Sequence, residues 1–167
     1  MALGGCTNPP AEGVGAPVDA ATAAPTSAGG CPASGVAVEA GPVDAAMGFR
    51  AVTLTLVNCG SAPYALEDYP GIGLLDEERQ AIAVQVLEEP DPIGNGAVAG
   101  PASFTVAPGE QARTVLTWRN TVELGLPNTP GSHLEVTPSP GGEPQVVELS
   151  VDLGTTGRLT VGPWTAA

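Results

Sequence analysis

Phe49–Asn58, "FRAVTLTLVN", decides the fold: Val52, Leu54 and Leu56 fall on one side and Thr53 and Thr55 on the other. Successive side chains of an extended chain point to opposite faces, whereas a helix needs apolar positions three and four apart. The stretch therefore reads as a strand with one wet face. The same period of two recurs on both sides of it. Val36 and Val38 share a face in "GVAVEAG", as do Ile72 and Leu74 in "PGIGLLD" and Ile82, Val84 and Val86 in "QAIAVQV". In "QARTVLTWR", Ala112, Thr114, Leu116 and Trp118 face one way and Gln111, Arg113, Val115, Thr117 and Arg119 the other. "SHLEVTP", "QVVELSVD" and "GRLTVGP" add Leu134/Val136, Val147/Leu149/Val151 and Leu159/Val161. Half-wet strands of this kind belong to antiparallel sheets rather than to buried parallel ones.

The joints carry turn chemistry. Ala107-Pro108-Gly109-Glu110 has Pro and Gly at the central positions of a type II turn, and Pro140-Gly141-Gly142 reads as another turn. Residues 88–100, "EEPDPIGNGAVAG", read as a long loop. Seven to nine short strands in roughly 130 residues, with no helical period, predict an all-β, immunoglobulin-like antiparallel β-sandwich over residues 33–167.

Composition narrows the classes. The chain has 167 residues, with five Lys plus Arg (all Arg) against eighteen acids, for a formal charge of −13. Such a surface repels nucleic-acid phosphates, so no nucleic-acid partner is expected. No stretch approaches 18 uninterrupted apolar residues, so no spanning helix is expected.

Leu3-Gly4-Gly5-Cys6 resembles the bacterial lipobox, in which the cysteine thiol takes a diacylglyceryl group and becomes the mature N-terminus. On this reading residues 1–5 are the remnant of a signal peptide, with its charged and apolar regions upstream or replaced by Met1. Residues 6–32, rich in Ala and Pro without any period, then form a lipidated flexible linker reaching roughly 25–30 Å. The protein is expected outside the cytoplasm, held at the membrane through Cys6. With Cys6 assigned to lipid, Cys31 and Cys59 are left as one pair; the alternative is two free core thiols. A Cys31–Cys59 bond would stabilise the fold by roughly 3.5 kcal/mol on the chain-entropy account.

Recognition enters at Ala46-Met47-Gly48, Val57-Asn58, Gly60-Ser61, Pro63 and Tyr69-Pro70-Gly71. With "VAPGEQARTVLTWRN" and "HLEVTP", these resemble a secreted, often lipid-anchored actinobacterial domain, domain of unknown function 4232, over about residues 31–163. The resemblance implies an extracytoplasmic β-sandwich and no particular activity. Two departures matter. The family commonly has a cysteine where this chain has Tyr64, and often a second cysteine pair in the C-terminal half, which is missing here.

Candidate chemistry is sparse. His133 is the one histidine, and Ser132 beside it points to the opposite face of a strand, so the two form no dyad by themselves. Asp76-Glu77-Glu78 and Glu88-Glu89 with Asp91 read as solvated acidic loops. An envelope hydrolase using His133 or an acidic cluster is the first alternative, and a calcium-dependent module the second. One histidine and two methionines are too few for a soft copper site, and no metal or other cofactor is expected. What remains is recognition. "PYALEDYPG" sets Tyr64 and Tyr69 around Glu67 and Asp68, a partner-binding candidate for an envelope protein or glycan; the structural alternative weighs more for Tyr69. Trp118 is expected in the core, and Trp164 packed over an open edge. The reading is a non-catalytic binding or structural module of the cell envelope, meeting the membrane through its anchor alone.

Overall fold

The computed structural model describes Met1, residues 30–96 and residues 102–167. Cys6 and nearly all of the expected leader remnant and linker lie outside the described residues. Cys31–Ala167 forms one compact unit. Among the described residues it contains twelve strands and no helix. In chain order these are β1 (Val36–Ala46), β2 (Phe49–Asn58), β3 (Tyr64–Leu66), β4 (Gly71–Leu75), β5 (Ala81–Ile82) and β6 (Gln85–Glu88). Then come β7 (Phe104–Val106), β8 (Gln111–Arg119), β9 (Pro130–Thr137), β10 (Gln145–Asp152), β11 (Arg158–Val161) and β12 (Thr165–Ala166). The number exceeds the seven to nine expected because β3, β5, β7 and β12 are only two or three residues long. Such ladders are too short to show an alternating pattern.

One sheet runs β1-β2-β8-β11-β6, with β12 also beside β8; a second runs β10-β9-β4-β5, and β3 pairs with β7. The opening stretch behaves as its pattern requires. Val52, Leu54 and Leu56 lie opposite Leu116, Thr114 and Ala112 of β8, and all six are buried. Leu74, Leu134, Val136, Leu149 and Val151 of the second sheet join the same core cluster, so both sheets turn their apolar faces to one interior. Pro42 falls in β1, at the edge of its sheet and within a register shift between Ala40 and Val43, where its missing N–H costs no ladder bond. The edges of the two sheets are laced together by one amide: Gln145 Nε2 donates to Val36 O (2.9 Å), and Val38 N donates to Gln145 Oε1 (3.0 Å). Such a bridge covers edge groups that would otherwise invite other strands.

Three expectations need correction. "QAIAVQV" is not one strand: β5 pairs with β4 in the second sheet, and β6 belongs to the first. The chain changes sheets at residues 83–84, while Ile82, Val84 and Val86 all still pack on the core. The alternation survives because the inward direction is shared. The sheets are also not wholly antiparallel. β6 runs parallel to β11, since the sheet change brings it in from the other layer rather than from a hairpin. Thr117, assigned to the wet face, is buried, with its hydroxyl donating to Pro92 O (3.3 Å), because the 89–96 segment folds over β8. The loop expected from residue 88 begins one residue later, as Glu88 is paired with Val161; its residues 97–100 lie outside the described residues. The Pro108-Gly109 turn forms as expected, with Glu110 N donating to Ala107 O (2.9 Å) and Gly109 at φ 83°.

Cys31 and Cys59 are disulfide-bonded, with Cα atoms 5.6 Å apart. The bond clamps the start of β1 to the end of β2, where Gly60 N donates to Gly35 O (2.8 Å). Asn58, 1% exposed, organises this end. Its Nδ2 donates to Ala62 O (2.9 Å) and Val106 O (2.8 Å), and its Oδ1 accepts from Gly60 N (3.1 Å). Its main chain binds Glu110 O and Gly109 N. One residue thereby ties together the 59–62 turn and β7 through its side chain and the entry to β8 through its main chain.

Candidate functional site

The loop between β3 and β4 carries Glu67, Asp68, Tyr69 and Pro70. Asp68 has φ 47°, a left-handed conformation that aspartate tolerates better than most residues. Its carbonyl accepts from Trp164 N (2.9 Å). Trp164 is not draped over an edge as expected. It is 1% exposed, in the core, with Nε1 donating to Pro138 O (2.8 Å). The C-terminal segment therefore pins this loop from inside.

On the solvent side, Glu67, Asp68, Tyr69, Glu88 and Pro140 line a hollow of about 290 Å³. Glu67 and Asp68 are exposed and Tyr69 is half-buried, with its ring against the core. The Tyr69 phenol is held above its ordinary value of 10.0, first by partial burial and then by the charges of Glu88, Glu89 and Asp68. It stays neutral through the physiological range, a hydroxyl donor and aromatic face inside a ring of carboxylates. That combination suits a cationic group: carboxylates for charge, a ring for cation–π contact.

The fold separates the two tyrosines that sequence reading placed in one surface. Tyr64 leans toward the β9–β10 turn, with its hydroxyl 3.2 Å from Ser139 Oγ. It lines a different hollow of about 540 Å³ with the disulfide and the 60–63 turn. In exchange Glu88 joins Tyr69. No spacing links residues 69 and 88. They meet because β6 pairs with β11, and the segment after β11 carries Trp164, whose main chain holds Asp68.

His133 lies opposite Leu75 of β4 and Glu148 of β10. Its Nδ1 is 3.1 Å from Asp76 O, a carbonyl that can only accept, so Nδ1–H donates to it. Together with Glu77, Ser132, Glu148 and Ser150 it lines an open hollow of about 330 Å³. In each acidic cluster the aspartate accepts from backbone donors. Asp91 accepts from Gly94 N (2.9 Å), Asn95 N (3.2 Å) and Gly96 N (2.7 Å), and Asp76 accepts from Gln80 N (2.7 Å). Among the described residues, no three of His, Cys, Asp and Glu converge as a metal site requires. A further hollow of about 340 Å³, bounded by Pro90, Pro92, Ile93, Val115 and Pro163, lies against β8 and is mostly apolar.

Fold and site together define a disulfide-stapled all-β domain that presents charged hollows at its loop ends. The family profile of domain of unknown function DUF4232 matches residues 31–165, and the chain belongs to that family. No curated protein and no solved structure matches it.

Proposed function

We propose that this is a lipid-anchored, extracytoplasmic module of the cell envelope with an immunoglobulin-like β-sandwich, and that it binds rather than catalyses. The observation carrying the reading is the Tyr69 hollow: a neutral phenol among Glu67, Asp68 and Glu88, held from behind by buried Trp164. Its ligand is a cationic group borne by an envelope protein or glycan. The Cys31–Cys59 bond supports an oxidising compartment. Lipidation at Cys6 rests on the Leu3–Cys6 motif, and two acyl chains would anchor the domain stably.

Two measurements test this. The intact mass of the native protein, taken without reduction from its own cells, should show a chain starting at Cys6 with a diacylglyceryl adduct. An unmodified chain with free thiols would remove the anchored reading. For the hollow, the isotopically labelled protein is titrated with a lysine-rich peptide and with glucosamine, each against its N-acetylated form. Amide shifts confined to residues 67–69 and 88, seen with the cationic forms and lost in Glu88→Gln, are expected. Equal response to the acetylated probes would refute the assignment. His133→Ala should leave any envelope phenotype intact; its loss at unchanged melting would favour the hydrolase alternative instead.

A further inference from the structure

Four connections meet at the end of the domain opposite the disulfide: the β4–β5 turn (residues 76–80) and three that brace one another. The two-residue turn Met47-Gly48 joins β1 to β2, residues 120–129 join β8 to β9, and residues 153–157 join β10 to β11. They are bound to one another. Asn120 N donates to Gly48 O (3.0 Å), Thr155 N to Thr121 O (2.9 Å), Thr129 N to Gly154 O (2.8 Å) and Glu123 N to Thr155 Oγ1 (3.0 Å). Gly154 has φ 55°, and a Cβ there would land on the Thr121 carbonyl, so the brace requires glycine. From this hydrogen-bonded base the chain presents Met47 and Leu124 wholly exposed (101% and 103%), along with Val122 (64%) and Leu126 (53%).

The residue choices work against local preference. Met47 (φ 47°) and Gly48 (φ 79°) make a two-residue hairpin turn with both φ positive, where asparagine is the favoured first residue and an unbranched apolar chain is not. Leu124 is the second residue of a turn closed by Leu126 N donating to Glu123 O (3.3 Å), with Gly125 at φ 87°. Neither side chain gains packing against the described residues of its own chain. Exposed apolar patches mark interaction surfaces.

Charge indicates the occupant. Four of the five arginines (Arg50, Arg79, Arg119, Arg158) and six of the eighteen acids (Asp44, Asp76, Glu77, Glu78, Glu123, Asp152) belong to the connections at this end and their flanking strand residues. This end therefore carries both signs with a small net negative charge, while the rest of the chain has one arginine against twelve acids. Three of these arginines are held by neutral groups: Arg119 over the Phe49 ring (5.4 Å), Arg158 Nε on Gln85 Oε1 (3.0 Å), and Arg50 Nη1 on Phe49 O (3.1 Å). An anionic membrane finds no net positive charge here. Another copy of the chain, repelled elsewhere by like charge, finds here an apolar face with both charge signs, the requirement for a two-fold, self-complementary contact.

We propose that Met47, Val122, Leu124 and Leu126 form a homodimerisation face, with the arginines of one copy against the carboxylates of the other. Four apolar side chains are far fewer than the roughly 20–30 residues that each partner brings to a standard interface. The dimer is weak, with a dissociation constant on the order of 0.1–1 mM.

The test is sedimentation velocity of the full chain from ~10 μM to ~1 mM. The weight-average mass should climb from 16.5 kDa toward the dimer value. Met47→Asn should melt a few degrees higher, since asparagine suits the turn, yet associate at least about tenfold more weakly. Leu124→Asp should melt as wild type and stay monomeric. A wild type that remains monomeric at the highest concentration overturns the proposal, as do variants that associate like wild type. Monomeric protein that instead sediments with anionic vesicles in a Leu124-dependent way also overturns it, and makes this end a membrane contact.

Discussion

Replacing Asn58 by alanine tests whether one buried amide holds the disulfide end together. The substitution removes three side-chain hydrogen bonds, leaving Ala62 O, Val106 O and Gly60 N without them. The Val106 bond is fully buried, so its carbonyl bears the whole penalty of an unmade hydrogen bond, about 1–3 kcal/mol. The other two are part-buried, and water can replace them at roughly 0.5–1 kcal/mol each. The sum is about 3 kcal/mol. At roughly 2 cal/mol/K of unfolding entropy per residue over Cys31–Ala167, that lowers Tm by about 10 °C. The assay is urea unfolding followed by tryptophan fluorescence with the disulfide kept oxidised; the midpoint should fall at unchanged slope. Asn58→Asp sharpens the test. It keeps the acceptor for Gly60 N but turns a carboxylate toward two carbonyl oxygens, which raises its folded pKa. Its stability should therefore recover as pH falls below that pKa and be lost as pH rises through it. A loss below about 0.5 kcal/mol for Asn58→Ala, or an Asn58→Asp variant as stable as wild type at pH 7, would refute the reasoning.

The Tyr69 hollow has a spectroscopic signature. In Tyr64→Phe, which leaves Tyr69 as the remaining one of two tyrosines, absorbance at about 295 nm should report ionisation above pH 10, moved back toward 10 by Glu88→Gln. Because the folded value is raised, its stability contribution is complete below pH 10 and is lost as pH climbs through the folded pKa; a midpoint at or below 10 contradicts the geometry. The two tryptophans should respond differently to phenylalanine. Trp164→Phe strands Pro138 O and should cost about 2–4 kcal/mol, whereas Trp118 Nε1 is buried with no partner among the described residues, so Trp118→Phe should cost less. Equal losses by thermal unfolding would show that the indole hydrogen bond contributes nothing. Cys31→Ser/Cys59→Ser should lose about 3.5 kcal/mol by urea unfolding, and a loss under about 1 kcal/mol would mean the chain-entropy account fails here.

Much of the architecture was readable from pattern alone. The inward faces of β2 and β8, the Pro108-Gly109 turn and the Cys31–Cys59 pair depend on stereochemistry over two to four residues, or on a cysteine count with one pair left over. The inward set of "QAIAVQV" was right for the same reason, although its single-strand reading failed. Alternation reports which side is dry, not which sheet supplies the hydrogen bonds.

The candidate site was half legible. Glu67, Asp68 and Tyr69 are neighbours in the chain, and their shared loop shows itself through Pro70-Gly71. Tyr64 was drawn in by the same proximity, yet Ser139 holds its hydroxyl elsewhere. Glu88 was visible only as one of several acids.

The chain alone determined an acidic all-β domain, because side-chain periodicity and charge are properties of the covalent sequence. Tertiary structure decided the rest: Glu88 beside Tyr69 through the parallel β6–β11 pair, Trp164 in the core beneath Asp68, and Met47 and Leu124 on one braced end. Each unites residues far apart in the chain, and such pairings are chosen by the joint packing of whole sheets, which no local window contains.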